Sequence, residues 1–134
     1  MPTSKITKLD DFTRAYVECA LWSSTDESTP DGGEPFDKNY GIEDIAPDSL
    51  LIMITNCLRF QSENIAHITN ENYCYTNREA SEQAGHDFWL TRNGHGCGFW
   101  DGDWVEPAAT ILTDTSGAFG ECNLYVGDDG MIHI

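Results

Sequence analysis

Apolar side chains recur every three or four residues in two stretches of the N-terminal half, which is the spacing of one helix face. The first stretch runs to about Trp22 and follows a capping aspartate, Asp10 or Asp11. The second starts near Pro47, a residue favoured in the first turn of a helix, and its apolar face continues to about His67. The pattern therefore predicts two amphipathic helices, of which the second is the longer.

Two further helices are predicted from local signals. Thr76 and Glu79 fit the S/T-x-x-E capping box, and Gly85 stands where a left-handed C-cap is expected, which gives a short helix over 77–84. The dipeptide Glu106-Pro107 can start another helix, although the threonines and glycine that follow make it a weak former.

From residue 86 onward the pattern changes to short runs of aromatic residues and glycine around turn signals. Asn93-Gly94 is typical of a two-residue type I′ turn and predicts a β-hairpin over about 86–101. A second hairpin is predicted over 123–134, around Asp128-Asp129-Gly130. The expected fold class is α+β: a small single domain in which an antiparallel sheet, built from these two hairpins, packs against three to four helices.

Residues 23–41 lie between the first two helices and have the composition of a loop. They contain two prolines and three glycines, with five acidic residues and one lysine. A loop of this length is unusual in a compact domain, so we expect it to be mobile or functional. The chain of 134 residues is long enough to bury roughly two-thirds of its unfolded surface, and we expect residues 1–134 to form one domain.

The net charge of the chain limits the kinds of partner that the protein is expected to bind. The chain carries 23 acidic and 7 basic residues, a formal net charge of -16. Such a charge repels nucleic acid and anionic membranes and attracts basic partners. We therefore expect no direct nucleic-acid binding, no membrane association and a protein partner with a basic surface.

The cysteines indicate a reducing compartment. There are five, an odd number, with no C-x-x-C pair. Cys19 and Cys57 lie among apolar residues of the predicted helices and are expected to be reduced core thiols. No signal segment and no run long enough to span a bilayer is evident, so we expect a soluble, cytoplasmic protein.

The segment Gly85–Asp101, GHDFWLTRNGHGCGFWD, resembles a block found in small, uncharacterised acidic proteins of tailed bacteriophages, GHDFWLTRNGHGxGFWD. The segments 20–24 and 124–130 are similar to the same family, so the resemblance spans most of the chain. It implies a phage-encoded protein that acts in the cytoplasm of the bacterial host. It implies no catalytic residues.

Candidate chemistry is concentrated in and just after the same block, at His86, Asp87, His95, Asp101 and Asp103. Two imidazoles and three carboxylates could bind a transition metal or transfer protons near neutral pH. The predicted hairpin, however, places His86 beside Asp101 at its open end and His95 at its turn, several residues away. We therefore expect structural hydrogen bonding in preference to a catalytic or metal site, and no cofactor.

The acidic surface is the stronger functional candidate. Carboxylates can occupy the nucleic-acid groove of a basic protein through the attraction that binds DNA phosphates. The function expected first is a binding protein that engages a basic surface of a host protein, as a DNA mimic or anti-defence inhibitor. Two alternatives stay open: a small metal-dependent or acid/base enzyme centred on His86, Asp87 and Asp101, and a phage structural or assembly component. The expected contact residues are Asp26, Glu27, Asp31, Glu34, Asp37, Asp128 and Asp129.

Overall fold

Four α-helices and two short antiparallel strand pairs make up the part of the chain that the computed structural model describes, residues 9–26, 33–94 and 98–134. The helices are α1 (Asp11–Ser23), α2 (Pro47–Glu63), α3 (Ala80–Arg92) and α4 (Ala108–Ala118). The strand pairs are β1 (Thr25–Asp26) with β2 (Glu34–Pro35), and β3 (Tyr125–Val126) with β4 (Ile132–His133). Two 3₁₀ turns, Phe36–Lys38 and Ile42–Asp44, connect β2 to α2. The small α+β fold with two antiparallel hairpins is as the sequence predicts.

The centre of the fold is the packing of α1 against α3. Gly85, in the middle of α3, faces the backbone of α1 so closely that an added Cβ would lie 2.0 Å from the carbonyl oxygen of Phe12. Around this crossing the rings of Phe88 and Phe60 stack with their centroids 4.1 Å apart. Tyr16 of α1 lies 5.2 Å from Phe88 on the other side. The lack of a side chain at Gly85 thus lets α1 and α3 approach closely, and the aromatic rings of the core pack around their crossing point.

The hairpin predicted over 86–101 is wrong, because residues up to Arg92 continue α3. Gly85, predicted to end a helix, lies inside it. Gly94, with φ of +71°, follows the end of α3 instead of forming a hairpin turn. A hairpin turn and the end of a helix can both use a glycine in the left-handed conformation. The Asn93-Gly94 pair alone therefore does not distinguish a hairpin from a helix end. The first hairpin of the structure is β1–β2.

The helix periodicity of α3 is hidden because the helix is buried on most of its circumference. Apolar, polar and glycine residues all lie inside, so no single apolar face shows in the pattern. The buried positions of α3 are Ala80, Gln83, Ala84, Gly85, Asp87, Phe88, Trp89, Leu90 and Arg92.

The other predicted elements lie close to their expected positions. Asp10 caps α1 by accepting a hydrogen bond from the backbone nitrogen of Thr13 at 2.8 Å. Helix α2 starts at Pro47 and ends at Glu63, four residues before the predicted end. The capping pair of α3 is Glu79 with Glu82, so this helix starts three residues later than predicted. The acidic loop predicted over 23–41 contains β1, β2 and a 3₁₀ turn, and its residues 27–32 lie outside the described ranges.

The end of α3 ties the C-terminal segment to the core. The buried guanidinium of Arg92 donates to the carbonyl oxygens of Gly120 at 2.7 Å and Phe119 at 3.0 Å. It also donates to the hydroxyl of Tyr16 at 3.0 Å. Next to it, the side-chain oxygen of Asn93 accepts from the backbone nitrogen of Cys122 at 2.8 Å. This polar cluster joins α1, α3 and the chain that leaves α4.

Cys19 and Cys57 are buried free thiols on α1 and α2, as predicted. Burial raises the pKa of the Cys57 thiol, which keeps it protonated and unreactive. Within the described ranges, no helix has the length and apolar character needed to cross a membrane.

Candidate functional site

Asp87 is a buried structural acceptor. Helix α3 carries its side chain into the core, where the residue is 2% exposed. One carboxylate oxygen accepts from Gln83 Nε2 at 3.0 Å and the other from the indole nitrogen of Trp104 at 2.8 Å. Both oxygens are therefore engaged with neutral donors inside the protein. This arrangement holds the segment around Trp104 against α3 and gives Asp87 a structural role.

His86 lies one residue before Asp87, at the edge of the core. Its ring lies beside the indole of Trp22, with centroids 6.0 Å apart. Its Nδ1 is 3.6 Å from an oxygen of Asp87, beyond hydrogen-bond distance, and has no hydrogen-bond partner. In the geometry observed, the two side chains are neighbours without a direct bond.

Asp101 and Asp103 approach the same region from the turn that precedes Trp104. Asp101 is exposed, and its carboxylate accepts a long hydrogen bond of 3.4 Å from the backbone nitrogen of Gly98. Burial raises the pKa of Asp103, and the nearby Asp101 and Asp87 raise it further while His86 lowers it. Asp103 thus lies within electrostatic range of His86, Asp87 and Asp101, although not through the predicted hairpin.

Asp103 also faces a pocket that the sequence did not indicate. The segments around Tyr73 and Trp104 run antiparallel, with Cys74 nitrogen donating to the Asp103 carbonyl at 2.8 Å. Beside this pairing is an open pocket of about 530 Å³. Its lining residues are Tyr73, Tyr75, Thr76, Asn77, Gln83 and Asp103. The only sequence signal is the run of asparagines and tyrosines over 70–77, which by itself is typical of a loop.

The predicted contacts of the acidic loop divide into different environments. Asp26 is 6% exposed and accepts a hydrogen bond from the hydroxyl of Tyr40, so little of its side chain lies at the surface, and its contact with a partner stays a prediction. It is buried because β1 turns its side chain toward the core. Glu34 is exposed and pairs with Lys38 at 2.8 Å, and Asp37 is exposed. The other two predicted contacts, Glu27 and Asp31, lie outside the described residues, as does His95.

Asp128 and Asp129 occupy the turn of the final hairpin, and both are exposed. Asp129 accepts from the backbone nitrogen of Met131 at 3.0 Å and is also 3.0 Å from His133 Nε2. These two contacts, the backbone one first, lower the pKa of Asp129. The ring of His133 stacks on Tyr125 with centroids 5.6 Å apart. Asp129 therefore has a structural partner, whereas Asp128 projects from the turn.

Exposed carboxylates are spread over most elements of the described surface. They are Asp10, Asp11, Glu18, Glu34, Asp37, Glu43, Asp48, Glu63, Glu71, Glu79, Asp101, Glu106, Asp114, Glu121, Asp128 and Asp129. The described residues include five lysines and arginines against these carboxylates: Arg92 is buried, Lys38 and Arg59 each pair with a glutamate four residues away, and Arg14 and Arg78 are the other two. The surface charge therefore stays strongly negative.

Several large apolar side chains are also exposed. Trp22 and Trp100 are 56% and 55% exposed, whereas Trp89 and Trp104 are buried. On α2 the exposed apolar residues follow helical spacing and continue into the turn after the helix; they are Leu51, Ile52, Leu58 and Ile65. Exposed apolar side chains grouped in this way are typical of surfaces that contact another protein.

Within the described ranges, no group of three or more histidine, cysteine, aspartate and glutamate side chains is placed to hold a metal ion. The chain matches no family model, and neither a curated protein nor a solved structure is significantly similar to it. Surface charge and side-chain geometry are therefore the observations that bear on function.

The structural role of Asp87 leads to a first prediction. Asp87→Ala leaves the donors of Gln83 and Trp104 buried without acceptors, so we expect a loss of about 2–4 kcal/mol in the free energy of unfolding. Asp114→Ala, at an exposed position of α4, is the control and should change stability by no more than about 0.5 kcal/mol. Urea unfolding followed by tryptophan fluorescence measures both. Equal stabilities of the two variants would contradict the structural role.

Proposed function

We propose that the protein is a binding protein whose acidic surface engages a basic surface of a bacterial host protein, in the cytoplasm of an infected cell. The observation that carries the proposal is the excess of exposed carboxylates over lysine and arginine side chains among the described residues. The phage context comes from the resemblance of the block at 85–101. In its narrower form, the proposal is that the protein occupies the nucleic-acid groove of a host or defence enzyme.

Electrostatics supports a partner of opposite charge. Like charges on one small domain repel each other and lower its stability. A basic surface that covers them relieves this repulsion and also accelerates association. Because the exposed acids occur on α1, α2, α4 and the final hairpin, the proposal is for engagement of a basic surface in general. Competition with DNA then tests the narrower form.

The enzyme alternative receives less support from the geometry. It requires Asp87 to act as a base or ligand, but both its oxygens accept hydrogen bonds in the core. The third hypothesis, a phage structural or assembly component, is favoured by the exposed apolar residues of α2. It predicts that the protein is present in purified virions, which fractionation of a phage stock would detect.

The proposal predicts salt-sensitive capture. The immobilised chain should retain a small set of host proteins at about 50 mM NaCl and release them at about 500 mM, because salt screens exposed charges. A variant with Glu18→Gln, Asp37→Asn, Asp114→Asn and Asp128→Asn should retain at least about threefold less of the same proteins. The purified captured protein should then bind the chain directly with the same salt dependence.

The control variant carries Asn39→Ser and Asn123→Ser, exposed polar replacements that leave the charge unchanged, and should capture as the natural chain does. If the captured protein binds DNA and DNA competes with the chain, the narrower form is supported. Capture that is unaffected both by salt and by the loss of four charges would overturn the proposal.

A further inference from the structure

We propose that the pocket lined by Tyr73, Tyr75 and Asp103 binds a cationic side chain, the ammonium of a lysine or the guanidinium of an arginine. The identity of the ligand as part of a basic protein partner rests on the proposed function. The pocket itself is defined by its own geometry, independently of that partner.

The two tyrosines supply aromatic surface. Tyr73 is buried at the inner side, where its ring packs on Trp104 with centroids 5.3 Å apart. Tyr75 is 56% exposed, and its ring lies 5.9 Å from that of Tyr73 at an interplanar angle of 73°. The faces of tyrosine rings attract cations through the ring quadrupole. A pocket of about 530 Å³ next to these rings has room for the end of a lysine or arginine side chain.

Three polar groups of the pocket present acceptors to it: the side-chain oxygen of Gln83, the hydroxyl of Tyr73 and the carboxylate of Asp103. Gln83 uses its side-chain nitrogen to donate to Asp87 at 3.0 Å, which leaves its oxygen on the Tyr73 side, 3.4 Å from the Tyr73 hydroxyl. The Tyr73 hydroxyl donates its proton to the side-chain oxygen of Asn77 at 2.7 Å. The hydroxyl therefore presents only lone pairs to a further ligand. Together with the carboxylate of Asp103, these groups suit a ligand that donates hydrogen bonds.

The carboxylates in and near the pocket favour a cation over other ligands that donate hydrogen bonds. Asp103 is partly desolvated, and Asp101 and Asp87 lie close enough to raise its pKa. A cation that enters the pocket would offset this concentration of carboxylates, whereas an anion would add to the repulsion. The neighbouring Arg78 is exposed and does not line the pocket, although its charge reaches Tyr73. A neutral polyhydroxylated ligand could also use the tyrosines and amides, and the experiment below separates it from a cation.

The test uses the full chain, labelled with ¹⁵N, and four small probes: the cationic Nα-acetyl-arginine amide and Nα-acetyl-lysine amide, and the neutral Nα-acetyl-norleucine amide and glucose. We expect saturable shifts of the backbone amides of residues 75–77 and 103 with a cationic probe, at a Kd of about 1–10 mM. Norleucine amide and glucose should produce no saturable shift there. Saturation by either neutral probe at the same concentrations would overturn the proposal.

Variants then test each component of the pocket. Asp103→Asn should raise the Kd for the cationic probe at least about fivefold, and Tyr75→Leu at least about threefold, whereas Tyr75→Phe should keep the affinity because the ring is retained. Glu121→Gln, between α4 and the final hairpin, removes an equal charge and should change the Kd less than about twofold. Equal effects of Asp103→Asn and Glu121→Gln would show diffuse attraction and would overturn the pocket. Amide resonances of residues away from the pocket that keep the positions they have in the natural chain show that the variant is folded.

The results that would overturn the proposed pocket differ from those that would overturn the proposed function. If salt-sensitive capture of host proteins persists while the cationic probes give no shifts at 75–77 and 103, the pocket is overturned and the acidic binding surface stands. If the probes bind as expected but no host protein is captured, the cation site stands and the link to a basic partner is overturned.

Discussion

Replacement of Gly85 by alanine should be the most damaging single change, with a loss of at least about 3 kcal/mol in the free energy of unfolding. The added Cβ would lie 2.0 Å from the carbonyl oxygen of Phe12 and 2.9 Å from its carbonyl carbon. Both contacts are with backbone, so no side chain can rotate to relieve them. Helices α1 and α3 would have to separate, and the packing of Phe88 with its neighbours would be lost. For a small domain, such a loss is a large part of the total stability.

Gly117→Ala is the matched control. Gly117 is also inside a helix, α4, but no atom lies within 4 Å of the position that its Cβ would occupy. Since alanine is favoured over glycine in a helix, this variant should be unchanged or more stable by about 0.5–1 kcal/mol. Thermal and urea unfolding of both variants give the comparison. Similar effects of the two substitutions would show that α1 and α3 do not approach as closely as the structure has them.

Replacement of Arg92 by methionine is expected to cost about 3 kcal/mol. Methionine fills a similar volume but donates no hydrogen bond. The carbonyl oxygens of Gly120 and Phe119 and the hydroxyl of Tyr16 would all lose the guanidinium that contacts them. The guanidinium also lies over the ring of Phe88, 5.5 Å from its centroid, and this contact would be lost as well. Urea unfolding measures the change.

Two further variants isolate the role of the guanidinium. Arg92→Lys keeps the charge but offers a single donor group to three acceptors set around a planar fork, so about half of the loss should remain. Arg59→Met removes an exposed arginine that pairs with Glu63 at 3.0 Å and should cost less than about 1 kcal/mol. If Arg92→Lys were as stable as the natural chain, charge alone would explain the role of Arg92, and the hydrogen-bonded geometry would not.

Gly85 and Arg92 show why the block at 85–101 is so informative and so easily misinterpreted. Glycine, aspartate, arginine and the Asn-Gly pair looked like parts of a hairpin with a candidate site at its base. In the structure Gly85 permits a helix crossing, Asp87 and Arg92 satisfy buried partners, and Gly94 follows the end of the helix. Gly85, Asp87 and Arg92 therefore serve packing and buried hydrogen bonding. This removes most of the support for an active site built from them.

Three elements were predicted well from local signals, although the equally local Thr76–Glu79 and Asn93-Gly94 signals were misinterpreted. Asp10 caps α1 through a partner three residues away, and Pro47 starts α2 at its own position. The last hairpin closes over a short turn, so its position also follows from neighbouring residues. Each of these depends on interactions within a few residues, which the sequence displays directly.

The candidate site could be predicted only in part. The sequence singled out His86, Asp87 and Asp101, but not the contact of Asp87 with Trp104 seventeen residues later, which makes the carboxylate structural. It gave no sign that Tyr73 and Asp103 line one pocket, because these residues are brought together by the pairing of distant segments. Long-range pairing of this kind leaves no periodic signal in the chain.

The sequence alone determined the strongly negative charge, the α+β class and the elements fixed by their own caps and turns, because these properties depend on composition or on near neighbours. The tertiary structure decided that α3 is a helix, that Asp26 is buried, and that tyrosines and a carboxylate share a pocket. Burial on all sides of a segment removes the contrast between polar and apolar faces. Only the packing around such a segment then shows which structure it forms.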